Sequence, residues 1–161
     1  MVKIVFYGTP AFAVPSLQRL LNSEHEVVAV VTQTDKPRGR RRIIGSSAVK
    51  SFALEKNIPI IQPASLKDNS VQRAILDYGA DIGVVVAYGK FLPDTLLTIP
   101  KYGAINVHAS LLPKYRGAAP IQRAIIAGES VTGVTIIRLV NEMDADPMLA
   151  HNSLKIGPNH T

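Results

Sequence analysis

Val2 to Tyr7 is an unbroken apolar run rich in β-branched residues, and Glu26 to Thr32 (EVVAVVT) and Asp81 to Ala87 (DIGVVVA) repeat the pattern. Runs of that length and composition suit strands buried on both faces. The segments between them carry helical spacing. Phe12, Leu17, Leu20 and Leu21 predict a helix over roughly Ala11 to Asn22. Ser46 or Ser47 can cap a helix running to about Lys56, and Asp68 to Tyr78 predicts another, closed by Gly79. Ile58 to Ile61 is a short strand interrupted by Pro59, and a short helix follows near Pro93 to Leu97. Gly103 to Ala109 is a strand, Ala118 to Ala127 a helix ended by Gly128, and Val131 to Val140 and Met148 to Leu154 are two final strands. Strands alternating with helices predict an open, mostly parallel α/β sheet with helices on both faces.

In such sheets ligands bind at the carboxyl ends of the strands. Gly8 follows the first strand, a basic segment the second and Tyr88 the fourth, and His108 lies near the end of the next. The first turn, Gly8-Thr9-Pro10-Ala11-Phe12, lacks the spaced glycines of a dinucleotide site, and no lysine-bearing phosphate loop is present. Thr9 and Pro10 read as a turn that starts a helix.

The chain has 161 residues, the size of one domain, and no internal repeat or linker. It contains no cysteine, so disulfides and thiolate metal sites are excluded. No apolar run is long enough to span a membrane, and no histidine–carboxylate spacing demands a metal. The net charge of +6 changes the picture because it is clustered. Lys36, Arg38, Arg40, Arg41 and Arg42 fall between Thr34 and Arg42, broken by Pro37 and Gly39. The segment reads either as a solvated irregular loop or as one that contacts phosphates.

The chemistry concentrates in Asn106-Val-His-Ala-Ser-Leu-Leu-Pro-Lys-Tyr-Arg-Gly117. Asn106 and His108 lie two apart on a strand and so project from one face. An amide donor beside a titratable imidazole suits acyl-type transfer to an amine. Ser110, Leu111, Leu112 and Pro113 form an apolar turn able to wall a flat heterocycle. Asp144, in the turn from Asn141 to Pro147, is the third candidate. It reads either as a turn-former bonded to its own backbone or as the carboxylate that orients His108. The remaining histidines, His25, His151 and His160, have no comparable setting.

The segment NVHASLLPKYRGAAPIQRAI closely resembles the signature of methionyl-tRNA formyltransferases. The likeness continues through FYGTPAFAVPSL, TQTDKPRGRRR, VVVAYGKFLP and VTGVTIIRL, and so covers essentially the whole chain. It implies the Rossmann-like formyltransferase fold. It also implies transfer of the formyl group of 10-formyltetrahydrofolate to the α-amine of initiator methionyl-tRNA in the cytoplasm, for translation initiation. Carried over by position, Asn106, His108 and Asp144 match the catalytic residues. Ser110, Leu111, Leu112 and Pro113 match the folate contacts, and the backbone of Val86, Ala87, Tyr88 and Gly89 would complete the pterin pocket. Lys36, Arg38, Arg40, Arg41 and Arg42 match the loop that meets the tRNA acceptor end. Phe12 falls where the family has an aromatic near the methionyl group, although a helix phenylalanine is more often core.

Two departures stand out. Asp146 occupies a position where the family has glycine, which brings a second carboxylate close to Asp144. Members of the family also continue into a carboxy-terminal β-barrel that helps hold tRNA. The expectation is therefore a catalytic domain over residues 1–161 without its last elements: monomeric at full length, able to self-associate as a fragment, and weak in tRNA binding. Formyl transfer to a small amine, such as glycinamide ribonucleotide or an aminosugar, is the alternative, as is a catalytically incomplete tRNA-binding fragment.

Overall fold

The computed structural model describes residues 1–38, 43–140 and 147–160, with backbone only at 37, 38, 43 and 44. Nine strands and five α-helices are described. They are β1 (Lys3–Gly8), α1 (Val14–Leu21), β2 (Glu26–Val31), β3 (Lys36–Arg38), β4 (Ile43–Gly45), α2 (Ala48–Glu55), β5 (Ile60–Ile61), α3 (Asn69–Tyr78), β6 (Ile82–Val86), α4 (Asp94–Leu97), β7 (Ala104–His108), α5 (Pro120–Ile126), β8 (Val131–Leu139) and β9 (Met148–Lys155). The strand order is β5-β2-β1-β6-β7-β8-β9 in an open, mostly parallel sheet, and β3 and β4 form a separate ribbon. The chain divides into two compact units, Met1–Ile105 and Asn106–Thr161.

In the first unit β1 pairs in parallel with both β2 and β6, and β2 with β5. Every residue of β1 after Lys3 and of β2 after Glu26 is buried, as the apolar runs predict. Leu17, Val49, Ala53, Val71 and Ile75 bring buried helix side chains to this core. Each fully buried Val, Leu or Ile contributes about 1.5–3 kcal/mol. Side-chain caps close the N-termini of α2 and α3, at Ser47 and Asp68. Asp68 Oδ1 accepts from Ser70 N–H (2.8 Å), and Gly79 takes the left-handed conformation (φ 62°) that closes α3.

Three elements differ from the sequence reading, each for a backbone reason. The first helix is shorter than expected: Ala11–Ala13 is a 3₁₀ turn, and α1 begins at Val14 with Pro15 in its first turn, where a missing N–H costs nothing. β5 shrinks to two residues because Pro59 has no N–H to give, although its carbonyl still accepts from Val30 N–H (2.8 Å). The flanks of the basic segment are not irregular loop. Lys36–Arg38 and Ile43–Gly45 pair as an antiparallel ribbon, in which Pro37 is tolerated because both strands of a two-stranded ribbon are edges.

The second unit begins within β7. Along β8 burial alternates, with Gly133, Thr135 and Ile137 facing inward, and β9 pairs antiparallel to β8 with all of its residues exposed. Among the described residues no helix is long and apolar enough to cross a membrane.

Ser47 tests the capping argument. Its buried hydroxyl accepts from Lys50 N–H (3.0 Å) and shares a hydrogen bond with Thr32 Oγ1 (2.8 Å). Ser47→Ala removes the cap of α2 and leaves the Thr32 hydroxyl unpaired. It should lower stability by about 1–3 kcal/mol, read as a lower urea midpoint at unchanged slope.

Candidate active site

The second unit holds the Asn106–His108 pair at the end of β7, followed by a tight turn over Leu112–Tyr115. Both side chains are half-buried and, two apart on a strand, share a face. His108 Nε2 lies 3.0 Å from the Tyr115 carbonyl oxygen. A carbonyl only accepts, so this contact places a proton on Nε2 and leaves Nδ1 as the nitrogen for exchange.

The turn is held by side chains that the sequence reading passed over. Thr135, 1% exposed on the inner face of β8, donates from Oγ1 to the Ser110 carbonyl (2.7 Å) and accepts from Leu112 N–H (3.1 Å). Ser110 Oγ donates to the Lys114 carbonyl (2.7 Å), and Lys114 N–H donates to the Leu111 carbonyl (3.0 Å). Leu111 packs on Gly133, where an added Cβ would sit 2.7 Å from Leu111 Cδ2 and collide with the Asn152 carbonyl oxygen. Ser110 and Leu111 thus anchor the turn, whereas Leu112 and Pro113 face a cavity of about 340 Å³ lined also by His108, Arg116, Gly117, Ile137 and Met148. The signal for Thr135 was present as a polar residue in register with Gly133 and Ile137 on the buried face of a strand.

At the far side of the turn Glu129 Oε1 accepts from both Lys114 Nζ (2.9 Å) and Tyr115 Oη (2.8 Å). These bonds hold the Glu129 carboxyl below its usual range and push the Lys114 ammonium and the Tyr115 phenol up. A depressed carboxyl keeps its contribution above its unfolded pKa and loses it only in acid, so this set is complete at neutral pH.

In the first unit Val86 ends β6, and the turn after it carries Ala87, Tyr88 and Gly89. Val86 and Tyr88 are buried, while Ala87 (φ 47°) and Gly89 (φ 80°) are exposed. The Tyr88 ring meets Tyr7 edge to face (5.9 Å between centroids), and burial pushes its phenol up to about 12. The Tyr88 carbonyl already accepts from Thr9 Oγ1 (2.9 Å) and Gln33 Nε2 (2.8 Å). Lys36 Nζ in turn donates to Gln33 Oε1 (2.8 Å), and Arg38 ends β3. Phe12 is 43% exposed on the 3₁₀ turn, so it is not a core residue. Arg40, Arg41, Arg42, Asp144 and Asp146 lie outside the described residues.

A sequence profile described as formyl transferase matches residues 2–161. The chain belongs to the formyl transferase family. Among relatives of this formyl transferase, the methionyl-tRNA formyltransferase of Methylococcus capsulatus is 51% identical over 160 residues, covering 99% of this chain and 52% of that protein. The methionyl-tRNA formyltransferase of Sulfurihydrogenibium sp. is 53% identical over 156 residues, covering 96% and 50%. The formyl transferase chain therefore spans about half the length of the curated relatives it matches. A crystal structure of glycinamide ribonucleotide transformylase 1 from Geobacillus kaustophilus shares the fold at a TM-score of 0.79 and 22% identity, covering 100% of this chain and 86% of that one.

Thr135→Val keeps the shape of this formyl transferase side chain and removes its hydroxyl. With the Ser110 carbonyl and the Leu112 amide left unpaired, stability should fall by about 1–3 kcal/mol in urea unfolding.

Proposed function

We propose that this chain carries the chemistry of formyl transfer from 10-formyltetrahydrofolate to the α-amino group of methionyl-tRNA. The observation that carries the reading is His108, set in the wall of an apolar cavity with one ring nitrogen tied down and the other left for proton exchange. The apolar walls given by Leu112, Pro113 and Ile137 suit a heterocyclic donor, and Asn106 stands on the same strand face as the imidazole. Relatives at about half identity that are methionyl-tRNA formyltransferases support tRNA over a small amine as the acceptor.

The folate co-substrate supplies the formyl carbon and a nitrogen leaving group. The methionyl amine adds to that carbon, and negative charge builds on the formyl oxygen. Asn106 donates its amide N–H to this oxygen, a contribution of about 10²–10³ in rate for one such donor. His108 takes the proton released by the amine at Nδ1. It then returns a proton to the folate nitrogen as the carbon–nitrogen bond breaks, which leaves the formylated amine and tetrahydrofolate. Asp144 is assigned the carboxylate that stabilises the charged imidazole between these two events. Ala87 and Gly89, with exposed backbone, are assigned to the pterin. Arg38, Arg40, Arg41 and Arg42, with Lys36, are assigned to tRNA phosphates, and exposed Phe12 to the methionyl end.

His108→Ala should lower formyl transfer to charged initiator tRNA by roughly 10²–10⁴-fold, the range of a positioned acid–base group. The comparison is made in this chain and in one extended to the length of its relatives. Equal transfer by the variant, or a preference for glycinamide ribonucleotide, would overturn the reading. Replacing Arg40, Arg41 and Arg42 together by alanine should raise KM for tRNA and flatten its salt dependence, with KM for the folate unchanged.

A further inference from the structure

His108 is oriented by a backbone carbonyl, and that carbonyl belongs to a residue in an unfavourable conformation. Tyr115 has φ +56°, in the left-handed region that a bulky side chain rarely adopts. Such a residue persists only where its surroundings over-determine it. Three contacts do so here. Tyr115 Oη donates to Glu129 Oε1 (2.8 Å). The Arg123 guanidinium lies 5.9 Å over the Tyr115 ring, within cation–π range. Arg123 Nη1 also donates to the next carbonyl, that of Arg116 (3.1 Å). Glu129 joins the first contact to a second, since the same Oε1 accepts from Lys114 Nζ (2.9 Å). Two successive side chains of the turn therefore converge on one carboxylate, three residues past the end of α5.

We propose that Glu129 is a positioning residue for His108. It fixes the Tyr115 side chain, which holds the Tyr115 carbonyl against Nε2–H and so keeps the proton of the neutral ring on Nε2 and off Nδ1. The proposal rests on the formyl-transfer reading for its consequence in rate, but not for its effect on the imidazole. Glu129 touches no reacting atom in this scheme. Its influence is exerted through the tautomer and orientation of His108, a role distinct from holding the fold together.

Histidine ¹⁵N NMR separates the two roles, because it reads the His108 tautomer without any reaction. In the wild-type protein the His108 signals should be those of the Nε2–H form. Tyr115→Phe keeps the ring, the Arg123 contact and the backbone, and removes only the hydroxyl. Both Tyr115→Phe and Glu129→Ala should shift His108 toward a mixture of tautomers. They should also lower kcat about tenfold, a part of the roughly 10²–10⁴ that a positioned acid–base group supplies, with KM for the folate little changed. Glu129→Gln retains an oxygen that accepts from Tyr115 Oη and should restore the Nε2–H form. A wild-type tautomer in Tyr115→Phe would overturn the proposal, and this variant carries the test alone if Glu129→Ala fails to fold. Altered tautomers without formyl transfer in any variant or in the wild type would leave the positioning role standing and remove the reaction assigned to it.

Discussion

The second unit depends on a threonine hydroxyl. Thr135 Oγ1 gives one hydrogen bond and takes another, and both partners lie in the turn after β7. A hydroxyl is suited to this because it is donor and acceptor at once. The Ser110 carbonyl and the Leu112 amide flank the residue that anchors on Gly133, so one side chain satisfies the backbone on either side of Leu111. With those groups paired, Leu112 and Pro113 are left to face the cavity. The absence of a side chain at Gly133 is part of the same device, since a Cβ there would occupy the space of Leu111 and of the neighbouring strand's carbonyl.

Backbone carbonyls recur as the points through which side chains act. The Tyr115 carbonyl faces the imidazole, while in the first unit the Tyr88 carbonyl accepts from Thr9 and Gln33. In each case the residue lies in a turn outside regular strand pairing, and its carbonyl is used to fix a side chain. The positive φ values at Ala87 and Tyr115 mark where the chain turns away to make it possible. Neither is glycine, so each is held by its surroundings rather than by its own preference.

The sequence was most readable where one physical rule acted alone. The apolar runs of β1, β2 and β6 could be read because a strand covered on both faces admits little else, and each is buried after its first residue. Asp68 and Gly79 marked the ends of α3 because capping is a local matter of one side chain and one dihedral. Where two rules competed, the reading failed at the boundary. Proline shortened α1 and β5, and the basic segment, read as loop from its Pro and Gly, pairs at its flanks because ladder hydrogen bonds are set by a partner strand rather than by composition.

The chemistry divides in the same way. Asn106 and His108 were legible from strand periodicity, which places i and i+2 on one face whatever the rest of the chain does. The apolar turn beside them was legible from composition, and so was the family resemblance carried by that segment. Which of its residues meet a ligand and which hold the turn was not legible, because Ser110, Leu111, Leu112 and Pro113 differ only in the direction each faces once β8 is beside them. The partners of Glu129 and Thr135 were not legible for the same reason, although the place of Thr135 on the buried face of β8 was. They lie 14 and 25 residues from the groups they bond, and only tertiary structure brings a carboxylate to Tyr115 and a hydroxyl to Ser110. Local sequence determines what a segment is, since dihedral preference and periodicity are short-ranged. Which distant polar groups satisfy it is decided by the fold, since a hydrogen bond reaches about 3 Å and carries no memory of chain separation.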